Sequence, residues 1–355
     1  MNFLFSGISI KDKALFYENI ANLLEWWVTL VSALKWLIDR HPEGKLREWV
    51  DNLLFFVEWG DAINIAMRKL PNFFYEQEIA IVESGEQTGM LQQSFLAIAR
   101  DLRAQEDLKN KIISAMTYPI IIMIFLFIAL SVVMIYVIPQ LMPIIGQMTG
   151  DLPWTTRSLI ATSSFFQHNF LYIFLILLAG WLFFQGYTRS DSGKRWWDHE
   201  KLYLPLSGKV YKNYLIVRTM STFHLLNSSG ISIIKTLRLT GQSAGNKIID
   251  ELFILIAEDV AHGTKISASM RERDQSRFFF SADILQMMES AEKTSTIGNV
   301  VQKIAIQYQR EVDLALNTMV KFIEPIALLL AWVFVLWFAL SIFSAIMQIV
   351  SLAGN

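Results

Sequence analysis

The distribution of charged residues divides this chain into segments of two kinds. No charged residue occurs in 112–150 or 325–355, and 158–188 contains no lysine, arginine, aspartate or glutamate and one histidine, His168. A membrane-spanning helix needs about 20 mostly apolar residues. The pattern therefore predicts three transmembrane helices, over 112–139, 170–188 and 324–348.

The two remaining regions, 1–111 and 189–323, contain nearly all the charge and show helical periodicity. From Ile20 to Leu37 apolar residues recur every three or four positions, which indicates one face of a helix. Proline and glycine then separate short segments, and no run alternates as a β-strand does. Each region is predicted to be a bundle of short α-helices.

Lysine and arginine flank the predicted spans asymmetrically. They precede the first span, follow the second and precede the third, whereas the connection 140–169 contains only Arg157 and the tail 349–355 contains neither residue. Positive residues concentrate on the cytoplasmic side of membrane proteins. We predict an N-in, C-out topology, in which 140–169 is an extracytoplasmic loop and 349–355 an extracytoplasmic tail.

The second charged region repeats the first. The sequence ESGEQTG at 83–89 aligns with ESAEKTS at 289–295, and GDAINIAM at 60–67 aligns with GTKISASM at 263–270. Trp27 likewise aligns with Gly230. Several matches at nearly one spacing indicate a duplication. We predict an all-α membrane protein with two repeated cytoplasmic six-helix-type bundles, each followed by a transmembrane helix, and one additional span between them.

Two glutamates stand out in the repeated sequence. Glu86 and Glu292 each precede a predicted helix, where unpaired backbone N–H groups and the helix dipole stabilise an acidic side chain. Capping is the simpler interpretation of these residues, and contact with a partner is the alternative. Glycines mark the expected tight turns, and the second copy has Ala291 and Ser295 in place of two of them, which predicts a different turn there. These glycines are Gly60, Gly85, Gly89, Gly230 and Gly263.

A second group of candidates lies where each charged region meets an apolar span. Tyr118-Pro119 aligns with Glu324-Pro325, and a long amphipathic segment without a clear breaker precedes each pair. We predict a stalk helix that enters the membrane with a kink or a restart at each proline. Because a carboxylate is costly inside a bilayer, Glu324 is expected to be an interfacial anchor, to pair with Lys321, or to contact another protomer or a client helix.

Composition narrows the possible functions. The 355-residue chain is 53% hydrophobic and 18% charged, whereas soluble domains average about 25% charged residues. A net charge of −1 argues against nucleic acid as a partner, and the absence of cysteine excludes disulfides and thiolate metal sites. No phosphate loop, nucleophile–base pair or metal-binding histidine pair is found, so we expect neither enzymatic activity nor a cofactor. The first residues do not resemble a cleaved signal peptide.

Together these residues resemble the GspF/PilC family, the inner-membrane platform proteins of bacterial type II secretion and type IV pilus machines. The resemblance covers about Phe16 to Ile346, and its most distinctive part is Gly85, Glu86, Gly89 and Leu91, one stalk helix before Tyr118-Pro119. It implies a multi-pass scaffold that couples a hexameric cytoplasmic assembly ATPase to insertion of pilin or pseudopilin transmembrane helices. Inner-membrane alignment subunits and further copies of the chain are the other implied partners.

The main alternative is a small oligomeric membrane transporter or permease subunit. Such a protein is expected to have ionisable residues or broken helices at mid-membrane depth. The three predicted spans contain no internal charge, which argues against this alternative. A membrane-anchored sensor fits less well still, because no ligand pocket or output domain is recognisable.

Overall fold

The computed structural model describes residues 9–40, 44–145, 153–188, 190–204 and 207–353, and every regular element in these ranges is helical. This confirms the all-α class. Contacts divide the chain into two compact units. The first unit contains Met1–Lys111 and Arg195–Ala315, and the second contains Ile112–Lys194 and Leu316–Asn355.

The N-terminal half of the first unit is a bundle of short helices. The Oγ of Ser9 caps its first helix by accepting from the Asp12 N–H at 3.0 Å. Buried side chains of the bundle, including Phe16, Ile20 and Phe95, form one apolar core. The helices are α1 (Ile10–Glu25), α2 (Leu30–Arg40), α3 (Lys45–Glu58), α4 (Ile63–Arg68), α5 (Glu76–Thr88) and the start of α6 at Leu91.

The helical face predicted from Ile20 to Leu37 is divided between two helices. The chain reverses between α1 and α2, where Trp27 adopts a left-handed conformation with φ of 60°. Tryptophan rarely occupies this region because its Cβ is crowded there. The sequence therefore contains no ordinary signal for the turn.

The C-terminal half of the first unit contains a second series of short helices with its own apolar core. Phe223, Phe253 and Phe280 are among the buried residues of this core. The helices are α9 (Asp191–Tyr203), α10 (Ser207–Ser228), α11 (Ile233–Ala244), α12 (Lys247–Ala261), α13 (Ile266–Arg273), α14 (Ala282–Thr294) and the start of α15 at Ile297.

The two halves of the first unit contact each other through α5. The Ser84 hydroxyl donates to the Ser229 carbonyl at 2.6 Å, and Lys235 Nζ lies 3.0 Å from Glu83 Oε2. Leu226 is fully buried and belongs to the apolar core of the first half. Helix α5 therefore packs both within its own bundle and against the α10–α11 turn.

The second unit consists of long helices. Helix α6 runs Leu91–Val132 and continues through a π-helical segment, Val133–Val137, into α7 (Ile138–Ile145). Helix α8 is Trp154–Tyr187, and α15 extends to Ala353. Among the described residues, the stretches Leu91–Leu141 and Ile297–Met347 include segments long and apolar enough to cross a membrane.

Two expectations about these helices change and two stay open. Most of the predicted loop 140–169 is helical, because α8 begins at Trp154. Helices α6 and α15 continue through Pro119 and Pro325, so neither restarts at its proline, and the alternative of a kink at each proline stays a prediction. The span predicted over 170–188 falls within α8, where several side chains between 170 and 177 lie outside the described residues, and it stays a prediction.

Candidate interaction site

Glu86 caps a helix other than the one that follows it. It lies in the last turn of α5, and its two carboxylate oxygens accept from the backbone N–H groups of Ile63 and Asn64 at 3.1 and 3.4 Å. These groups begin α4, where N–H donors have no partner within the helix. The capping interpretation is therefore supported, but the capped helix is α4 rather than α6.

Glu292 makes the same contact in the second half. It lies in α14 and accepts from the N–H groups of Ile266 and Ser267 at 2.5 and 3.2 Å, and from the Ser267 hydroxyl. Helix α13 begins at Ile266, so each glutamate joins the end of one helix to the start of another. Both carboxylates are thereby used inside their own bundles.

The turns that follow these glutamates have the same hand. Gly89 has φ of 72° and Ser295 has φ of 55°, both left-handed. The difference in turn geometry expected from Ala291 and Ser295 is therefore absent. A non-glycine residue in this conformation costs about 1 kcal/mol or more, so Ser295 is held there by the surrounding helices.

Gly85 has a packing role of its own. A Cβ added at Gly85 would lie 2.8 Å from Cβ of Ser94 and 3.2 Å from the Met90 carbonyl. Helices α5 and α6 thus approach too closely for any side chain at this position. Ala291 is buried at the corresponding place in α14, so the second half tolerates a methyl group there.

The other predicted glycines lie in turns. Gly60 and Gly263 have φ of 94° and 92°, between α3 and α4 and between α12 and α13. Gly230, with φ of 75°, lies between α10 and α11, and Trp27 occupies the same conformation between α1 and α2. The structure thus brings Glu86 and Glu292 into interhelical contacts and leaves these four residues at helix ends.

The residues predicted at the membrane boundary lie inside long helices. Tyr118 is exposed and Pro119 buried in α6, whereas Glu324 and Pro325 are both exposed in α15. No ion pair between Glu324 and Lys321 is found in the described part of α15, and the roles of Glu324 as an interfacial anchor or as a partner contact stay predictions.

A buried ion pair connects two residues that no sequence motif indicated. Lys13 Nζ lies 2.7 Å from Glu78 Oε2, and the same oxygen accepts from the Tyr17 hydroxyl at 3.3 Å and from the Tyr75 N–H at 2.9 Å. Burial lowers the pKa of Lys13 although Glu78 opposes the shift, and burial beside Glu78 raises the pKa of Tyr17. The sequence feature that could have indicated this pair is a lysine on the apolar face of α1.

Asp101 in α6 is a second perturbed group. Burial raises the pKa of this carboxyl to about 6, although a hydrogen bond from Gln105 Nε2 at 2.7 Å and the charge of Arg218 act in the opposite direction. Perturbed groups often occur at functional sites, but structural networks perturb pKa values equally well. Gln105 and Arg218, which act on Asp101, are side chains of the same unit. We therefore assign Asp101 to a structural network rather than to a functional site.

Hydroxyl groups join the helices of the second unit. The Thr156 hydroxyl donates to the Ser341 carbonyl at 2.7 Å, and the Ser163 hydroxyl donates to the Met134 carbonyl at 2.6 Å. Met134 lies in the π-helical segment, where the widened turn leaves a carbonyl for such a bond. Hydrogen bonds of this kind hold apolar helices together where the hydrophobic effect cannot. Among the described residues, no cluster of histidine or acidic side chains could hold a metal ion.

Comparison with known proteins gives consistent matches over most of the chain. The profile of the family described as type II secretion system (T2SS), protein F, matches twice, at residues 16–139 and 219–345. The type IV pilus assembly protein PilC of Thermus thermophilus is 29% identical over 93% of this chain and 80% of its own length. PilC of Pseudomonas aeruginosa is 26% identical over 100% and 94%. The type II secretion system protein F of Aeromonas hydrophila is 24% identical over 97% and 87%.

Proposed function

Because this chain belongs to the type II secretion system protein F family, we propose that it is the inner-membrane platform protein of a type IV pilus or type II secretion assembly machine. Relatives named as pilus assembly and as secretion proteins both match nearly its whole length, which supports a role common to the two machines. In this role the chain is a scaffold that couples a cytoplasmic assembly ATPase to insertion of pilin or pseudopilin subunits.

The continuity of two long helices is the observation that carries this proposal. The chain passes between the two units at three points, after Lys111 inside α6, after Lys194 inside α9 and after Ala315 inside α15. The long helices α6 and α15 therefore each belong to both units without interruption. A continuous helix resists bending, because every turn is held by backbone hydrogen bonds. Displacement of the helical bundles by the ATPase would thus be passed along α6 and α15.

The proposed topology has three membrane spans and the N-in, C-out orientation. Two described stretches meet the length and apolarity requirements, and α8 supplies the third proposed span. The bundles 1–111 and 189–323 then lie in the cytoplasm, where an ATPase can reach them. Their proposed two-copy relationship is supported by the double match to the family profile.

Partners of the membrane-embedded part are proposed from its exposed side chains. Phe125 of α6 and Trp332 of α15 are 73% and 71% exposed, and both lie in apolar stretches. Such surfaces face lipid or other apolar helices. We propose that pilin or pseudopilin helices and alignment subunits pack here, and that the chain functions as a homo-oligomer.

The proposed role is tested by deleting the chromosomal copy of this chain and restoring it from a plasmid. We expect the deletion to abolish surface fibres or secretion while pilin or pseudopilin remains in the membrane. Normal fibres and normal secretion in the deletion strain would refute the proposed role.

Transmission of movement along α6 is tested by making this helix more flexible near Lys111. Lys109 and Asn110 are both exposed in α6, next to the boundary between the units. Replacing both with glycine costs about 2 kcal/mol of local helix stability, whereas replacing both with alanine does not. At equal membrane levels, we expect the glycine pair to reduce assembly several-fold and the alanine pair to retain it. Equal assembly by the two variants would refute rigid transmission through α6.

A further inference from the structure

The contact between the halves of the first unit uses two surfaces of different kinds. One is the end of α5, where the Ser84 hydroxyl donates to the Ser229 carbonyl at 2.6 Å. The other is the α10–α11 turn that contains Ser229 and Gly230. An added Cβ at Gly230 would lie 3.9 Å from Ser84 Oγ, so this turn faces α5 directly.

Each of these surfaces has a counterpart in the other half. Ser290 corresponds to Ser84, because ESAE at 289–292 aligns with ESGE at 83–86. The α1–α2 turn corresponds to the α10–α11 turn, since Val28 N–H donates to the Leu23 carbonyl at 3.1 Å as Ile231 N–H donates to the Leu226 carbonyl at 3.3 Å. The counterparts thus share sequence or turn geometry with the surfaces already in contact.

The two counterparts do not meet within one chain. Trp26 and Trp27, at the centre of the α1–α2 turn, are 80% and 95% exposed, and Ser290 on α14 is exposed as well. A two-fold contact between the halves would have covered both surfaces. The internal contact is therefore of the head-to-tail kind, which leaves one free surface of each type on every molecule.

We propose that a second copy of this chain covers these surfaces, so that the Trp26–Trp27 turn of one molecule docks on α14 of the next. The contact repeats between molecules the packing of the α10–α11 turn on α5 within the molecule. In it, the Ser290 hydroxyl takes the place of Ser84 and the Trp26 carbonyl takes that of Ser229. This inference specifies a surface for the homo-oligomer included in the proposed function, and it rests on that part of it.

The surface of α14 contains a cavity in which a tryptophan side chain can bind. A cavity of about 280 Å³ opens on this surface, one turn before Ser290. This cavity is open to solvent, so the indole ring of a neighbouring molecule can enter it from outside. Guanidinium groups favour the face of an indole, and two arginines are present. The cavity is lined by Arg271, Arg277, Ala282, Leu285, Gln286 and Glu289.

The backbone conformation of Trp27 also supports docking on a second copy of the chain. A tryptophan with φ of 60° is strained, whereas Gly230 adopts the equivalent conformation without cost. A strained residue that is almost fully exposed gains nothing from packing within its own molecule. Burial of its indole against a neighbouring molecule supplies the compensating interaction.

Cysteine cross-linking in membranes tests the proposal, because the natural chain contains no cysteine. We expect full-length chains with Trp26→Cys and chains with Ser290→Cys, expressed together, to form a disulfide-linked dimer. A chain with both substitutions is expected to form a ladder of higher species. Either single variant expressed alone is expected to remain monomeric on the gel, and a dimer from one single variant would indicate a two-fold contact and overturn the proposal.

Two controls keep the result interpretable. Lys11 is exposed at the opposite end of α1, so Lys11→Cys expressed with Ser290→Cys is expected to give no dimer. Ser84→Cys with Ser229→Cys in one chain is expected to form an internal disulfide. That disulfide would show that the contact between α5 and the α10–α11 turn exists in the membrane. An internal disulfide without a Trp26–Ser290 dimer would overturn the proposal.

The substitution Trp27→Gly separates docking from folding. Because Gly230 occupies the same backbone conformation, this variant keeps the turn and its unfolding temperature is expected not to fall. Cross-linking between Trp26→Cys and Ser290→Cys is expected to drop about tenfold in this background, the loss typical of one aromatic anchor. Undiminished cross-linking would show that Trp27 is not the anchor and would contradict the proposal.

Failure of this interface can be distinguished from failure of the proposed function. If Trp27→Gly and the wild type restore fibres or secretion equally in the deletion strain and no dimer forms, the interface is wrong and the platform role stands. If the deletion strain assembles normally while the dimer forms, the interface stands and the platform role is wrong.

Discussion

The buried ion pair between Lys13 and Glu78 provides a quantitative test, because apolar residues occupy the two corresponding positions in the second half of the unit. Ile216 and Ile284 occupy the corresponding positions in α10 and α14 and are 0% and 1% exposed. The same two positions are thus occupied by an ion pair in the first half and by two isoleucines in the second. Replacing both Lys13 and Glu78 with isoleucine converts the first arrangement into the second.

The expected magnitudes follow from the cost of an unpaired buried charge. Removing one partner of a buried pair costs about 3–5 kcal/mol, whereas replacing both with apolar residues is often neutral or stabilising. Glu78→Ile is expected near 3 kcal/mol, because the lowered pKa of Lys13 eases loss of its proton. The double variant is expected within about 2 kcal/mol of wild type, since Tyr17 and the Tyr75 N–H also lose an acceptor.

Thermal unfolding of the purified full chain in detergent measures these changes. One kcal/mol shifts the midpoint by roughly 2–4 °C for a domain of this size. Glu78→Ile is therefore expected to lower the midpoint by about 6–12 °C and the double variant by much less. If the double variant loses as much as the two single variants added together, Lys13 and Glu78 are not coupled and the reasoning fails.

Three further predictions concern single residues of the first unit. Because its pKa is raised to about 6, protonated Asp101 stabilises the fold at low pH, and this contribution is lost as pH rises from about 4 to 6. Asp101→Asn is thus expected to be more stable than wild type by about 1–2 kcal/mol at pH 7 and equal to it near pH 4, as measured by unfolding midpoints across this range. Gly85→Ala is expected to destabilise the chain by about 1–3 kcal/mol in the same assay, since the added Cβ would clash with Ser94. Ala291→Gly is expected to destabilise it by no more than about 1 kcal/mol. Glu86→Gln is expected to cost about 1 kcal/mol, because both carboxylate oxygens accept N–H groups and an amide offers one acceptor; unchanged stability would contradict the capping geometry.

Periodicity and breakers predicted the helical class and many helix ends, since these depend on residues close in sequence. Gly60, Gly89 and Gly263 each fall at a turn with positive φ, as a glycine between apolar segments indicates. Trp27 and Ser295 adopt equivalent conformations without that signal. At those positions packing of the surrounding helices overrides the local preference, so no reading of single residues identifies the turns.

The target of Glu86 was unpredictable for a related reason. Its position before a predicted helix indicated a local cap, but the donors it reaches belong to Ile63 and Asn64 of α4. Only the folded bundle brings the end of α5 to the start of α4. The same limit applies to Lys13 and Glu78, which are far apart in sequence and adjacent in space.

Comparison of the two halves separates what the fold requires from what one half alone possesses. Glu86 and Glu292 make the same cap with different neighbours, so the bundle itself accounts for an acid at this position. Trp27 and Gly230 share a backbone conformation, yet only the tryptophan is strained there, and its exposed side chain adds nothing to its own bundle. A requirement of folding would favour glycine at both positions. The exposed tryptophan is therefore the feature that the proposed contact with a second copy of the chain would explain.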